Sequence, residues 1–592
     1  HGHTDPRWWA TDDLFGNATE LLLHPDHYVF RMLYSQGVPL EALGIRNPDA
    51  DPRESWRLFA ERYHLFRGTP TRMWLDWVFS ATFGIDAQMI PYSAPLEDIL
   101  TSLSAAGAAD LPEWDGDLMR QLGEAFATFA EEGIAPLSGA GDAEGARLET
   151  GQVRMPSGYG AAYAEYIAQG WPGLTAPEAM GGQGLGGVAL AIVSEIFSGA
   201  DISMQMVTGL VPGAIRVLTQ FGTQAQQAAW GPALASGEWL ATMALTEPGA
   251  GSDLGRIRSK AEPTADGWRI TGEKIFISGG GQDMSAGIFH LVLARTGDAE
   301  SGTKGLSLFA CLSEEVAGRL SVTRIEEKMG LHASPTCQLS FDEAPAHLIG
   351  SVGGGLQGMF AMMNHARVDV ALQGVALAAR ATQIAEAYAA QRVQGRKPDG
   401  SAAVLTDHPD VRRMLDEMQA RTHLARALAH SAVVALERAE ASALVDALTP
   451  VLKYSCTEAA SRVADMGIQV LGGYGYLKEY GIEQIARDAR ITRIYEGASG
   501  IHALTLAGRG AQGAQGAALA DLLSHAPEAA ALWEEGRAAL TDPAAQAQDF
   551  MALTEWALFH VLAPRLRAQP AVARFMAREA PMGAVHLARL KS

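Results

Sequence analysis

Two short stretches carry side chains whose types and spacing suit chemistry. The first is Arg493-Ile494-Tyr495-Glu496-Gly497-Ala498-Ser499, which follows Arg487-Asp488-Ala489-Arg490 at the end of an apolar helical pattern. A carboxylate between Tyr and Gly at such a place loses water, and desolvation lifts its pKa toward the range useful for a general base. The bland alternative is a helix-terminal Glu in a surface ion pair, and the segment alone favours it. The second stretch is Thr246-Glu247-Pro248-Gly249-Ala250-Gly251-Ser252-Asp253, directly after the apolar run 239–245. Its small residues let backbone amides approach a ligand closely, and Thr246 and Ser252 add hydroxyls. By itself it reads as an ordinary Gly-rich turn. It lacks both the G-x-G-x-x-G spacing and the lysine of a P-loop, so those nucleotide-binding readings fail. A third feature, His1-Gly2-His3, would place two imidazoles on one face of a strand, where they could share a metal. Solvated histidines are the preferred reading there, and no metal is expected.

The elements that must position these stretches change period along the chain. Residues 95–225 read as helices, with apolar residues three and four apart over Asp117–Glu132 and Ala189–Phe197. Pro- and Gly-rich segments at Pro136–Gly141 and Gly181–Gly187 read as breaks between them. From 240 to 345 short β-branched runs appear at Trp268–Ile277, Ile288–Ala294, Leu306–Cys311, Leu320–Ile325 and Gln338–Phe341, as in a small antiparallel barrel. Long amphipathic helices are then expected over Ala366–Arg392, Val411–Arg438 and Pro450–Val470, the last ending at Gly472-Gly473. An Ala-rich helical tail follows. The fold class is therefore mainly α with a central β-barrel: an N-terminal helical domain at 89–238, a middle barrel at 239–347, a helical bundle at 348–510 and a C-terminal extension at 511–592.

Composition narrows the function classes. The chain has 592 residues and a formal net charge of −21, with no basic cluster, which argues against binding a phosphate backbone. No run of 18 purely apolar residues occurs, so no membrane span is expected. No secretory signal pattern follows His1, and the three widely spaced cysteines, Cys311, Cys337 and Cys456, suit a reducing cytoplasm. Residues 1–88 stand apart, with five of the 12 Trp and no Lys or Cys. Gln88-Met89-Ile90-Pro91 reads like an internal start after foreign sequence.

Within residues 1–88, His1-Gly2-His3 with Thr11–Phe15, Leu23–Met32 and Asp76–Ile85 resembles the N-terminal part of uronate isomerase, a (β/α)8 barrel. A whole barrel needs roughly 250 residues, so this is expected to be a severed helical fragment joined by fusion. From about Pro91 to Arg509 the chain resembles the acyl-CoA dehydrogenase family. The resemblance rests on the 246–253 motif, then Lys274-Ile275-Phe276-Ile277-Ser278, then Gln469-Val470-Leu471-Gly472-Gly473-Tyr474-Gly475, then Arg487–Ile491 and Ile494–Gly497.

The resemblance implies FAD between barrel and bundle and an acyl-CoA thioester against the flavin. It implies Glu496 as the base that takes the α-proton while a hydride leaves the β-carbon, giving a trans-2-enoyl-CoA, with the Glu496 N–H and a flavin hydroxyl polarising the thioester carbonyl. Met243, Leu245 and Thr246 fall where the family contacts the flavin ring. Phe276 and Ser278 replace its Trp and Thr at the flavin edge. Ser252 matches a residue touching FAD phosphate or CoA. Arg392 matches one reaching the FAD pyrophosphate of a neighbouring subunit, and Gln469, Gly472 and Gly473 match the segment near the adenosine half. Arg367, Tyr495 and Gly497 fall at the thioester site, and Asn364 stands where many members carry an Asp for CoA. Ala498 and Gly500 replace a Thr and a Gln that commonly help hold FAD.

The opening at Pro91–Pro95, the Lys328–Thr336 segment and the tail look most like the extended bacterial branch, which includes enzymes acting on 3-methylmercaptopropionyl-CoA. Short or medium acyl chains, electron-transfer flavoprotein as acceptor, a homodimer or tetramer, and a cytoplasmic location are the corresponding expectations. Two alternatives remain open. One is an acyl-CoA oxidase using oxygen; the other is a non-catalytic, DNA-binding relative, which would need a basic tail that this chain lacks.

Overall fold

The computed structural model describes residues 16–592 except 48, 67–68, 84–89, 113 and 439–441. The His1-Gly2-His3 pair lies outside the described residues. The chain divides into two compact units, residues 1–90 and 91–592.

The first unit is helical. Helices His27–Ser35 and Pro52–Glu61 are opened by Asp26 and Asp51, whose carboxylates accept backbone N–H bonds at 2.9 Å from Tyr28 and Arg53. Together with Pro70–Phe83 they bury a small core that includes Leu23, Val29, Leu33, Leu43, Phe59, Phe66 and Leu75.

The second unit opens with helices at Leu96–Ala105, Gly116–Phe129, Ala135–Glu144, Tyr159–Ala168 and Gly187–Thr208. The expected break at Pro136–Gly141 is instead the helix Ala135–Glu144. Pro136 sits in its first turn, directly after the π-helical turn Ala130–Ile134 that joins it to Gly116–Phe129. Gly141 is required because a Cβ there would come within 2.4 Å of the Tyr159 hydroxyl oxygen. Helix Gly187–Thr208 is long and apolar enough by composition to cross a membrane, yet it is buried along most of its length in this unit. Its apolarity is that of a core helix.

The middle strands close into a barrel. Gly287–Arg295, Lys260–Thr264, Gly267–Ser278, Thr336–Ile349 and Leu306–Leu312 pair in that order, and Leu306–Leu312 returns to Gly287–Arg295. Leu320–Ile325 adds to Thr336–Ile349. Two pairings depart from the expected antiparallel pattern: Lys260–Thr264 meets Gly287–Arg295 in parallel at Lys260 and Arg295, and Trp239–Ala244 runs parallel to the same strand along its length. Trp239–Ala244 reaches that neighbour only through a long crossover carrying the 246–253 loop and two intervening strands, which parallel pairing demands. Strands Gly287–Arg295 and Leu306–Leu312 are buried at every position, because their two faces serve different cores. Val292, Ala294, Phe309 and Cys311 point into the barrel, while Phe289, Leu291, Leu293, Leu308 and Ala310 join the helical core.

The long helices that follow are Gly355–Gln391, Pro409–Glu437 and Ser442–Leu471, with Ile482–Thr492 beside them. The last of the three long helices does not start at Pro450 as expected; it begins at Ser442 and runs through that proline. Burial of Leu448, Val451 and Leu452 around it favours continuing the helix despite the lost backbone bond. The first and third approach closely at Gly374, where a Cβ would lie 2.7 Å from the Cys456 carbonyl oxygen. Five further helices between Gly513 and Lys591 form the tail, which buries Trp533, Phe550 and Trp556 and pairs Arg574 with Asp416 of the bundle at 2.6 Å.

A buried ion pair ties the 246–253 loop to the barrel. Lys274 is fully buried, and its ammonium donates to the Leu245 carbonyl at 2.9 Å, the Leu293 carbonyl at 2.7 Å and Glu247 Oε1 at 2.8 Å. Glu247 in turn accepts the Arg258 and Ser259 backbone N–H at 2.6 and 3.0 Å. Burial pulls the lysine down to about 8 against the opposing pull of Glu247.

Two outcomes follow from this architecture. Lys274→Met should cost about 3–5 kcal/mol in denaturant unfolding, because it leaves Glu247 buried without its cation; a loss below about 1 kcal/mol would show that the pair is not what holds the loop. A chain starting at Met89 should show the thermal transition of the full-length protein's second unit unchanged, since residues 91–592 have their own cores; failure to fold would show that they depend on the first unit.

Candidate active site

The sequence-predicted residues of the bundle come together around one strained turn. Glu496 takes a left-handed conformation, φ +54°, and Gly497 follows at φ +103°. A non-glycine residue held there costs on the order of 1–3 kcal/mol, so its surroundings must impose it. Three donors from three helices do so. Arg367 Nε on Gly355–Gln391 and His502 Nε2 on Ser499–Thr505 meet the Glu496 carbonyl oxygen at 3.4 and 3.2 Å. Lys453 Nζ on Ser442–Leu471 donates to the Gly497 carbonyl at 2.7 Å. A side chain at 497 would also fail sterically, since a Cβ would lie 2.8 Å from His502 Nε2.

The carboxyl group of Glu496 is closed from solvent at Oε2, and that atom has no hydrogen-bond partner among the described residues. Burial pushes its pKa above the ordinary carboxylate value, while Arg367 and Lys453 pull the other way. His502 is held neutral, brought down to about 3 first by burial and then by Lys453 and Arg367. The result is a carboxylate with cations nearby and one oxygen left unsatisfied, so it is free to accept a proton from something else.

Asn364 stands one turn from Arg367 and accepts its Nη1 at 3.4 Å. Both line an opening of about 210 Å³ together with His502, Thr505 and Arg509. On the other side Tyr495 donates to Gln373 Oε1. Gln373 Nε2 reaches Gln205 Oε1 at 2.7 Å, and Gln205 Nε2 reaches Asp369 Oδ2 at 2.9 Å; Ser194 also bonds Asp369. This chain of polar groups runs to a narrow cavity of about 60 Å³ between Gly187–Thr208 and Gly355–Gln391, lined by Tyr163, Trp171, Phe197, Gln205, Met362 and Asp369 among others.

The remaining predicted residues form two further groups. On the barrel, Met243 is half-buried on the strand Trp239–Ala244, Leu245 is buried behind it, and the Thr246 carbonyl accepts the Ile275 N–H at 2.8 Å. Phe276 is 58% exposed at φ +61°, where the register against Thr336–Ile349 shifts between Lys274 and Ile277. That shift turns an aromatic ring outward from a strand, with the half-buried Ser278 two residues on. Ser252 is exposed on its loop. At the far end of the bundle, Arg392, Gly472 and Gly473 line a cavity of about 480 Å³, and the Arg392 guanidinium lies 5.0 Å from the Tyr474 ring centre. Gln469 is exposed on the helix leading there but is not among the lining residues.

These features fit a flavin dinucleotide. A Cβ on Gly249, Gly251, Gly472 or Gly473 would meet nothing within 4 Å, so open space lies against each of those backbones. Two of them belong to the Thr246–Asp253 loop and two border the arginine-lined cavity. Ala498, standing where the family often has Thr, is the residue before helix Ser499–Thr505 and supplies no side-chain cap. Gly500 faces Gln548 of the tail, 3.7 Å from where its Cβ would be.

Sequence reasoning missed Lys453, His502, Asp369 and Gln373. Lys453 did leave a signal, being the one charge between Asp446 and Glu458, whereas Asp369 follows Arg367 by two residues and does not stand out. His502 and Gln373 left none.

Comparison with known proteins identifies relatives for both units. Three acyl-CoA dehydrogenase domain models match in succession: the N-terminal domain over residues 117–238, the middle domain over 242–344 and the C-terminal domain over 353–511. The chain is 43% identical over 447 residues to 3-methylmercaptopropionyl-CoA dehydrogenase of Ruegeria pomeroyi, covering 71% of this chain and 76% of that protein. Butyryl-CoA dehydrogenase from Megasphaera elsdenii superposes with a TM-score of 0.58 at 26% identity, over 66% of this chain and 97% of that one. The glucuronate isomerase model matches residues 1–105. Uronate isomerase of Sphingopyxis alaskensis is 78% identical over 89 residues, 15% of this chain and only 19% of that protein, so the segment is a fragment fused ahead of a different protein. Beyond that fragment, the chain belongs to the acyl-CoA dehydrogenase family.

Proposed function

We propose that the protein dehydrogenates a short-chain acyl-CoA thioester between its α and β carbons, with Glu496 as the base. The observation that carries this is the desolvated carboxyl of Glu496, unpartnered at Oε2 on a turn whose Glu496 and Gly497 carbonyls are both engaged. A thioester α-hydrogen is weakly acidic, so its removal needs a base of raised pKa and a donor for the carbonyl oxygen. The left-handed turn supports both roles. It points the two carbonyls of 496–497 at Arg367, His502 and Lys453, leaving the Glu496 backbone N–H available to the thioester oxygen. FAD, when bound, accepts the hydride that leaves the β-carbon. Phe276, turned outward, and Ser278 would cover the flavin edge; Met243, Leu245 and Thr246 would meet its ring and Ser252 its phosphate or the CoA. Arg392 with Gly472 and Gly473, and Gln469 nearby, would hold the adenosine end. Arg367, Asn364, Tyr495 and Gly497 would surround the thioester and the adjoining part of CoA.

The narrow cavity beyond Tyr495 supports the short-chain reading. Its 60 Å³, bordered by Leu190, Phe197 and Met362 as well as by Asp369, Gln205 and Ser194, leaves little room for a long alkyl chain. A compact acyl group such as butyryl or the 3-methylmercaptopropionyl group of the Ruegeria relative suits that space. Electron-transfer flavoprotein is the proposed acceptor and a homo-oligomer the proposed assembly, because the arginine-lined cavity matches the family segment that meets a neighbouring subunit's FAD.

The test is Glu496→Gln. The amide keeps the shape of the carboxylate but has no useful basicity, so the variant should bind FAD and butyryl-CoA normally. Its flavin reduction, followed by anaerobic stopped-flow absorbance, should fall by about 10⁴-fold, the upper end for general-base loss. Bleaching within a few-fold of wild type would return Glu496 to a surface ion-pair role.

A further inference from the structure

Lys453 is fully buried, in a stretch that is otherwise apolar. Burying an ammonium is costly unless it is paired and hydrogen-bonded. Its nearest carboxylate along the same helix, Glu458, is engaged elsewhere, accepting Arg493 Nε at 2.7 Å and Ser499 Oγ at 3.0 Å. Lys453 instead donates at 2.7 Å to the carbonyl of Gly497, the residue after the base. We propose that Lys453 is the positioning residue of the base: its ammonium pins the Gly497 carbonyl, and with it the left-handed turn that presents Glu496, and it is the buried counter-cation of that carboxylate. The proposal rests on the reading of Glu496 as the base.

The other groups facing this turn do not replace it. His502 is neutral, so it orients the Glu496 carbonyl without adding charge. Arg367 is the second cation, but it meets the Glu496 carbonyl at 3.4 Å and is itself divided between that atom and Asn364. Arg509 acts on Arg367, and Asp369 and Asp488 act on Tyr495. Lys453 feels Glu496 as its strongest favourable charge, ahead of Glu458, and is drawn down by burial to about 7 with Arg367 adding to that fall. Glu496 in turn is pulled down by Arg367 and Lys453 together. Removing one of two cations from a dry site leaves the carboxylate harder to ionise.

The experiment compares FAD-loaded wild type with Lys453→Met, Lys453→Gln and Lys453→Arg by anaerobic stopped-flow reduction with butyryl-CoA across pH. Lys453→Met should retain FAD and bind butyryl-CoA with little change, while flavin reduction slows by about 10²-fold, the scale of a misplaced reacting group. Its rise of rate with pH should move to higher pH. Lys453→Gln restores a donor to Gly497 without charge, so its rate should partly recover while the inflection stays high. Lys453→Arg restores the charge and should bring the inflection back toward wild type. A Lys453→Met rate within twofold of wild type would overturn the proposal. So would a slow variant with the wild-type inflection that Arg does not rescue, since that marks a lysine needed only for packing. If Lys453→Met yields no folded flavoprotein, the Gln variant decides: an unshifted inflection there overturns the proposal. Should no acyl-CoA bleach even the wild-type flavin, it is the reading of Glu496 that has failed, a result distinct from all of these.

Discussion

The proposed reaction depends on one constraint: a carboxylate must be kept out of water without being satisfied. A glutamate in solvent is too weak a base to take a thioester α-proton, and one fully paired in the interior would not give up its partner. Glu496 avoids both. Its Oε2 is shut away and unbonded, while the cations that stabilise its ionised form, Arg367 and Lys453, place their hydrogen bonds on backbone carbonyls of the same turn. The charge is compensated through space and the oxygen stays free. The left-handed backbone is the cost of that arrangement, and it is sustained because three separate helices converge on two consecutive carbonyls.

The barrel serves the same end from the opposite side. Its two fully buried strands pack into both the barrel core and the helical core, which makes it a rigid wall against which the bundle can be set. The Lys274–Glu247 pair fixes the Thr246–Asp253 loop to that wall, and the register shift beyond Lys274 turns Phe276 outward. Buried ion pairs of this kind contribute little net stability compared with apolar replacements, but losing one partner is expensive. Here the pair specifies where a glycine-rich loop lies, which a greasy contact could not do as narrowly.

Much of this was legible in the sequence. Helix-barrel-helix order follows from the change of apolar period, and the joint occurrence of the loop motif and the Ile494–Gly497 segment identified the family. Two elements misled for the same reason. Pro136 and Pro450 read as boundaries, yet one lies in a first turn directly after a π-helical turn and the other inside a helix held by burial on either side; local breakers lose to tertiary packing. The parallel strand Trp239–Ala244 was invisible because strand direction is set by a partner far along the chain. In the proposed site, Glu496 and Arg367 were suggested by motif, whereas Lys453, His502 and the Asp369–Gln205–Gln373 network make contacts between helices that no local pattern records. The lone charge of Lys453 between Asp446 and Glu458 was the one hint available.

Burial raises the pKa of the proposed base, Glu496, above the ordinary carboxylate value. The direct measurement is the pH dependence of anaerobic flavin reduction in the wild-type protein mixed with saturating butyryl-CoA. The base works ionised, so the rate must rise with pH, and because burial raises the folded pKa of Glu496 the inflection should lie clearly above the ~4.3 of an exposed glutamate. A rate that holds level down to that value, or an inflection at or below it, would contradict the account.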